Sequence, residues 1–442
     1  MKTPIADLLK SYSSLDVSRL HMPGHKGKSY TGCEAFDITE IKGADVLYSA
    51  EGIIRESEDN ASKLFASRTF YSTEGSTLAI KAMLKLATDG KREGGRPLIL
   101  AGRNAHKSFI SAVALLDLDV KWLYPEAPSH IASCIIDAKT VADKIDEGPR
   151  PCAVYITSPD YLGNISDVKE IAEVCNERGI PLLVDNAHGA YLAFLSPSEH
   201  PIRLGAAMCA DSAHKTLPVL TGGAYLHISE NYPEYIERAE SALSLFASTS
   251  PSYLILRSLD TCNAYLEDGY REKLALCIEK VARLCDSLKA KEIPVVNTEP
   301  LKLTVSPKSV GYTGYELADV MRGEKIECEF ADEDYTVMMI TPDNTDEDLE
   351  RVYNALANIE RRQPILSAPP AIAKPERAMS IREAVLSPSE RIPTSCAVGR
   401  ICASVTVSCP PAIPISIAGE VITEQTKRLF DYYGTDTVEV VK

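Results

Sequence analysis

The sequence contains no run of eighteen apolar residues, which excludes a membrane-spanning helix of ordinary length. Its opening, MKTPIADLLKSYSS, has neither the apolar stretch nor the small-residue cleavage site of a secretory signal. None of the 12 cysteines stands in a C-x-x-C pair, and the closest group, Cys396, Cys402 and Cys409, lacks histidines at zinc-site spacing. Reduced thiols in a cytoplasmic protein are therefore expected, and no bound metal. Positive charge is in short supply, with 47 lysines and arginines against 62 acids and a net charge of -15. Such a surface binds phosphate backbones poorly, so neither nucleic acid nor a membrane is an expected partner. Internal repeats and low-complexity tracts are absent as well.

What remains is ordinary globular composition, 45% hydrophobic and 25% charged, over 442 residues. That length suits roughly two to four domains. Between residues 60 and 230, short apolar runs alternate with amphipathic segments, the pattern of an α/β fold with a mainly parallel sheet. The runs begin at Pro97, Cys152, Ile180, Gly205 and Gly222. Three end in polar clusters: Arg103-Asn104-Ala105-His106, Ser158-Pro159-Asp160 and Asp185-Asn186-Ala187-His188. Ligands of open α/β sheets bind outside the carboxyl ends of the strands, which places the chemistry at these clusters. Residues 241–291 read as helical, and 301–359 as an α+β unit with strands LKLTV and YTVMMIT. A Pro-rich linker at 362–374 precedes the last segment. The expected domains are 1–260, 261–361 and 362–442.

The strongest local signal is ADSAHKTLP, residues 210–218, after an apolar run. A lysine at a buried strand end can be desolvated, which lowers its pKa and makes it nucleophilic toward carbonyls. Asp185 ends its own strand thirty residues earlier. In pyridoxal phosphate enzymes a carboxylate faces the pyridine nitrogen, keeping the ring protonated and electron-accepting. Thr73-Glu74-Gly75-Ser76-Thr77 opens a helix, where free N–H groups and hydroxyls favour an anion. His106 could stack on a flat ring. Each feature alone fits a cap, a surface residue or a solvated lysine; their order and spacing together point to the cofactor.

The segment S-A-H-K-T-L-P resembles the pyridoxal phosphate attachment site of the bacterial ornithine/lysine/arginine decarboxylases. His21-Met22-Pro23-Gly24-His25-Lys26-Gly27 is similar to that family's T-P-G-H-K-G opening, and DITEIKGADVLYSAEG at 37–52 to its D-x-T-E-x-x-G-x-D-x-L block. TEGST resembles its N-G-S-T phosphate turn, RNAHKS its R-N-x-H-K-S, and VDNAHGA its V-D-x-A-H-G-A. SERIPTSCAVGRICA and PPAIPISIAGEVI resemble its C-terminal domain, so the likeness spans nearly the whole chain.

The resemblance implies an aspartate-aminotransferase-like, fold-type-I enzyme with a large domain and smaller α+β C-terminal domains. It implies a homodimer with shared active sites. It also implies the short form, without the N-terminal wing of the large members, and a place in polyamine biosynthesis. Lys215 would bind pyridoxal 5'-phosphate covalently, Asp185 would pair with the ring nitrogen, and His106 would lie over the ring. Gly75, Ser76, Thr77, Ser212 and His214 would hold the phosphate, with His188 near the ring. Thr221 would serve the neighbouring subunit's cofactor. The distal cation of a basic amino-acid substrate would meet an acid, and Glu420 is the candidate. Glu74, Asp160, Gly222 and Cys409-Pro410-Pro411-Ala412 depart from the family pattern. Decarboxylation is the expected reaction; another pyridoxal reaction on this fold, or a non-catalytic regulatory homologue, stays open.

Overall fold

A computed structural model describes residues 1–91, 95–125, 130–296, 298–405 and 412–442. The strands of the first half are β1 (Arg68–Ser72), β2 (Leu98–Gly102), β3 (Asp119–Leu123), β4 (Ala153–Thr157), β5 (Leu182–Asp185), β6 (Met208–Asp211) and β7 (Ala224–Ile228). Those of the second half are β8 (Val295–Val296), β9 (Lys302–Val305), β10 (Phe330–Ala331), β11 (Thr336–Met339), β12 (Ser389–Pro393) and β13 (Thr437–Val441). All five expected apolar runs form strands. β1 and β3, sequences RTFYS and DVKWL, were not expected, because their polar residues hide the strand pattern.

The chain divides into two compact units. The first comprises residues 1–93, 152–158 and 168–272. Its strands lie in the order β1-β7-β6-β5-β4. β4, β5 and β6 are parallel, each near-continuously apolar as strands covered on both faces must be. β7 instead runs antiparallel to β6 and β1. The stretch 212–223 between β6 and β7 contains only a short helix, Ala213–Thr216, too little for the crossover a parallel return needs. The lysine loop is therefore a tight return at the carboxyl end of β6.

The second unit comprises 94–151, 159–167 and 273–442. It contains the parallel pair β2-β3, the antiparallel sheet β10-β11-β9-β8 and the pair β12-β13. Helices Gly314–Gly323 and Asp346–Ala357 accompany the four-stranded sheet, and each opens with a capping box, Thr313 with Glu316 and Thr345 with Asp348. The expected strands at 301–305 and 335–341 appear as β9 and β11. Leu429 and Phe430 on helix Glu424–Tyr432 bury against Cys402, Ile422, Val438 and Val440 to make the core of the C-terminal segment. Cys409, Pro410 and Pro411 lie outside the described residues.

In the first unit, helix Pro4–Ser13 packs on helices Ile53–Phe65 and Tyr253–Glu267. Asp260 anchors it: one carboxylate oxygen accepts from the Ala6 backbone N–H at 2.9 Å, the other from Ser57 Oγ at 2.6 Å. An acid at a helix N-terminus is favourable, yet burial dominates and pushes the Asp260 carboxyl up to about 6. An acid whose folded pKa exceeds its unfolded value of about 3.9 binds its proton more tightly when folded. Its contribution to stability is thus present at low pH and fades as pH rises through the window from about 4 to about 6. We expect Asp260→Asn to remove that part of the pH dependence and to raise the urea midpoint at pH 7. An unchanged pH profile of the midpoint would contradict this account.

Candidate functional site

Four segments of the first unit bring reactive side chains together. β6 ends at Asp211, and Ser212 then starts the short helix that carries His214 and Lys215. Lys215, half-buried, places Nζ 2.8 Å from His188 Nε2. Asp185, at the end of β5 and 2% exposed, accepts from Tyr155 OH at 3.1 Å and from the Ala187 N–H at 3.3 Å. Burial pushes the Asp185 carboxyl up, and the Lys215 charge and these two donors pull it back. Burial and the adjacent carboxylate push Tyr155 well above the ordinary phenol range, which keeps it a donor to Asp185. Asp185, His188 and Lys215 therefore gather at the strand ends.

The fourth segment is the turn before helix Gly75–Thr88. Ser212 Oγ donates to Ser76 Oγ at 2.8 Å, so the lysine loop and the helix N-terminus are tied by two hydroxyls. Gly75 has φ +71°, and a Cβ placed there would meet no atom within 4 Å, leaving open space beside the helix start. His214 Nδ1 donates to Gly223 O at 2.9 Å, which folds the loop back on itself. Thr221 is exposed in the turn before Gly223.

His106 and Glu420 belong to the second unit. His106 caps helix Lys107–Leu116, its Nδ1 accepting from the Ser108 N–H at 3.2 Å. Glu420, expected to meet a substrate cation, lies 3.4 Å from Arg103 Nη2 and accepts from the Ile417 N–H at 2.8 Å. Burial pushes its carboxyl up and Arg103 opposes that. Arg103 also donates to Pro414 O and Ile415 O, each at 3.0 Å, and lies over the Trp122 ring. The sequence places this guanidinium, at the end of β2, in a polar cluster but gives it no role; an arginine directly after a buried strand is the available signal. Tyr155 was missed, inside the apolar run CAVYIT, although a phenol buried in a strand needs a partner.

Comparison with known proteins sets these features in a family. Residues 3–304 match the model of the Orn/Lys/Arg decarboxylase major domain, and residues 361–436 match that of the Orn/Lys/Arg decarboxylase C-terminal domain. The chain belongs to the Orn/Lys/Arg decarboxylase family. It is 30% identical to an arginine decarboxylase of Bacillus subtilis over 458 residues, covering 96% of this chain and 92% of that protein. An arginine decarboxylase of Halalkalibacterium halodurans is 29% identical over 457 residues, covering 96% and 91%. Among solved structures, the lysine decarboxylase of Francisella novicida superposes with a TM-score of 0.79 at 19% identity, covering all of this chain and 81% of that one. The constitutive lysine decarboxylase of E. coli gives a TM-score of 0.76 at 17% identity, covering 100% of this chain and 82% of that one. The fold is the aspartate-aminotransferase-like α/β fold, as the resemblance implied.

The departures from the family pattern acquire physical reasons. Glu74 Oε1 accepts from the Ser248 N–H at 2.6 Å, so this acid pins a neighbouring loop. Gly222 has φ +99°, its carbonyl accepts from the Gly75 N–H at 2.7 Å, and an added Cβ would lie 3.0 Å from Thr73 O. A residue with a side chain would be strained there. Asp160 is buried and accepts the N–H groups of Leu162 and Asn164, both at 2.9 Å, as a turn former does. Ala412 accepts from the Lys107 N–H at 3.0 Å.

Neutralising Glu420 would leave the buried Arg103 guanidinium without its counter-charge. Breaking such a pair costs about 3–5 kcal/mol. Glu420→Gln should therefore lower the denaturant midpoint strongly, whereas a midpoint within error of the parent would show that Arg103 is held by its carbonyl partners alone.

Proposed function

We propose that this chain binds pyridoxal 5'-phosphate on Lys215 and decarboxylates a basic amino acid, lysine, arginine or ornithine, to the corresponding amine and carbon dioxide. The observation that carries this reading is the buried Asp185 beside Lys215 and His188 in a member of the Orn/Lys/Arg decarboxylase family. The residues present fit the cofactor. A dianion needs donors, and the start of helix Gly75–Thr88 offers backbone N–H groups with the Ser76 and Ser212 hydroxyls beside open space at Gly75. A protonated pyridine needs a desolvated acid, and Asp185 is one.

Gly75, Ser76, Thr77, Ser212 and His214 would hold the phosphate, Asp185 the ring nitrogen, and His106 would supply the stacking imidazole. When bound, the cofactor supplies an electron sink for the bonding pair that the departing carboxylate leaves behind. Asp185 holds the compensating negative charge at the buried strand end, and the Tyr155 hydroxyl keeps its carboxylate oriented. His188 Nε2 can take the proton from Lys215 Nζ, leaving the amine nucleophilic. The same two groups would return a proton to the substrate carbon. We further propose a homodimer in which the exposed Thr221 reaches the neighbouring subunit's cofactor.

Borohydride reduction of the purified protein should fix the cofactor on the peptide containing Lys215, and a panel of lysine, arginine and ornithine should yield one amine by mass. Trapping on a different lysine, or no product from any of the three, would refute the assignment.

Mixing a Lys215→Ala chain with a Thr221→Ala chain tests the shared site. Partial return of activity on mixing is expected, and a fully active monomer in light scattering would exclude it.

A further inference from the structure

On the sheet face opposite Asp185 lies a second cluster of reactive groups. Asp185 pairs with Ala210 across β5 and β6, so Cys209 and Asp211 point to the other face. Cys209 stands directly opposite His227 on β7, which brings the imidazole to that same face. His200 enters from the loop before β6. All four side chains are fully buried.

Their atoms converge. Asp211 Oδ2 is 3.1 Å from His200 Nε2 and 3.3 Å from His227 Nε2, and Cys209 Sγ is 3.7 Å from His200 Nε2. Zinc bonds of about 2.0–2.3 Å at tetrahedral angles separate ligand atoms by about 3.3–3.8 Å. The ligand atoms of His200, Cys209 and Asp211 all lie within 4.8 Å of one another.

The surroundings are built outward from this point. His227 Nδ1 lies 2.9 Å from Thr69 Oγ1 and 3.2 Å from Ser67 Oγ, the outer bond that fixes an imidazole's orientation. His227 Nε2, buried and close to Asp211, nevertheless makes no hydrogen bond among the described residues. Asn186 Nδ2 donates to Asp211 Oδ1 at 2.7 Å, leaving Oδ2 turned to the histidines. Cys209 Sγ donates to Asp211 Oδ1 at 3.8 Å, which turns the thiol toward the same carboxylate.

We propose that His200, Cys209, Asp211 and His227 form a structural zinc site on the far side of the sheet from Lys215. The two imidazoles, one carboxylate and one thiol suit a borderline-soft cation with tetrahedral preference. Binding displaces the Cys209 thiol proton to solvent and forms the sulfur–zinc bond. The divalent cation then balances the thiolate and the carboxylate, so no net charge stays buried. With all four ligands from the protein the site is closed and has no position for substrate, which makes its role one of holding β6, β7 and the loop at His200 together. Because Ser212 follows Asp211 directly, this bracing extends to the base of the lysine loop.

The test is the metal content of the full-length protein, expressed with added zinc and dialysed against EDTA. About one zinc per chain is expected by elemental mass spectrometry. Protein produced with cobalt in place of zinc should show a thiolate-to-metal band in the near ultraviolet and tetrahedral bands in the visible. Both should vanish in Cys209→Ser, and His227→Gln should lower the zinc content. Wild-type protein without zinc after growth in zinc, or a zinc content unchanged in both variants, would overturn the proposal, whatever the Lys215 trapping shows. The wild-type measurements decide the matter even where a variant fails to fold.

Discussion

A carboxylate with no access to water survives only beside compensating charge and donors, and Asp185 is placed under that constraint. Burial pushes it toward neutrality, and Lys215, Tyr155 and the Ala187 N–H draw it back toward ionisation. These opposing pulls require three separate segments, the middle of β4, the end of β5 and the loop after β6, to meet at one place. The tight return from β6 to antiparallel β7 brings the third of them there.

The same constraint recurs in the second unit with a different outcome. Arg103 and Glu420, 317 residues apart, are both buried and spend most of their hydrogen bonds on each other and on the backbone of residues 414–417. Lys302 does likewise with Glu299 and the Asp160 carbonyl. Such pairs add little net stability compared with apolar packing, but removing one member is costly. They tie the β2 end to the C-terminal segment. Glu420 is held by Arg103 and the Ile417 N–H.

The sequence reveals elements where period and chemistry agree. The strands from Cys152 to Ile228 are legible because burial on both faces leaves an unbroken apolar run, and Lys215 stands out because it follows one of them. β1 is not legible, since Thr69 and Ser72 are polar residues made acceptable by partners elsewhere; Thr69 Oγ1 lies 2.9 Å from His227 Nδ1, 158 positions away. The direction of β7 depends on the length of the lysine loop rather than on any residue of the strand. Glu74, Asp160 and Gly222 look anomalous in the linear pattern because their reasons are the Ser248 N–H, a buried turn and the Thr73 carbonyl. The His200-Cys209-Asp211-His227 set escapes a search by spacing, since its ligands come from two neighbouring strands and a loop rather than from a compact motif.

β6 shows how one short strand serves both faces. Ala210, a small residue, lies on the Asp185 side and leaves room for the chemistry there, while Cys209 and Asp211 face the other way. Burial works against the Asp211 carboxylate, but His200 and His227 outweigh it and hold it well below the ordinary range, so an anion persists under the sheet. That anion in turn opposes ionisation of Asp185 across the strand. Its charge is therefore felt at the lysine side. The two faces are coupled by electrostatics through a single strand, which is why the residues behind the sheet bear on the behaviour of those in front.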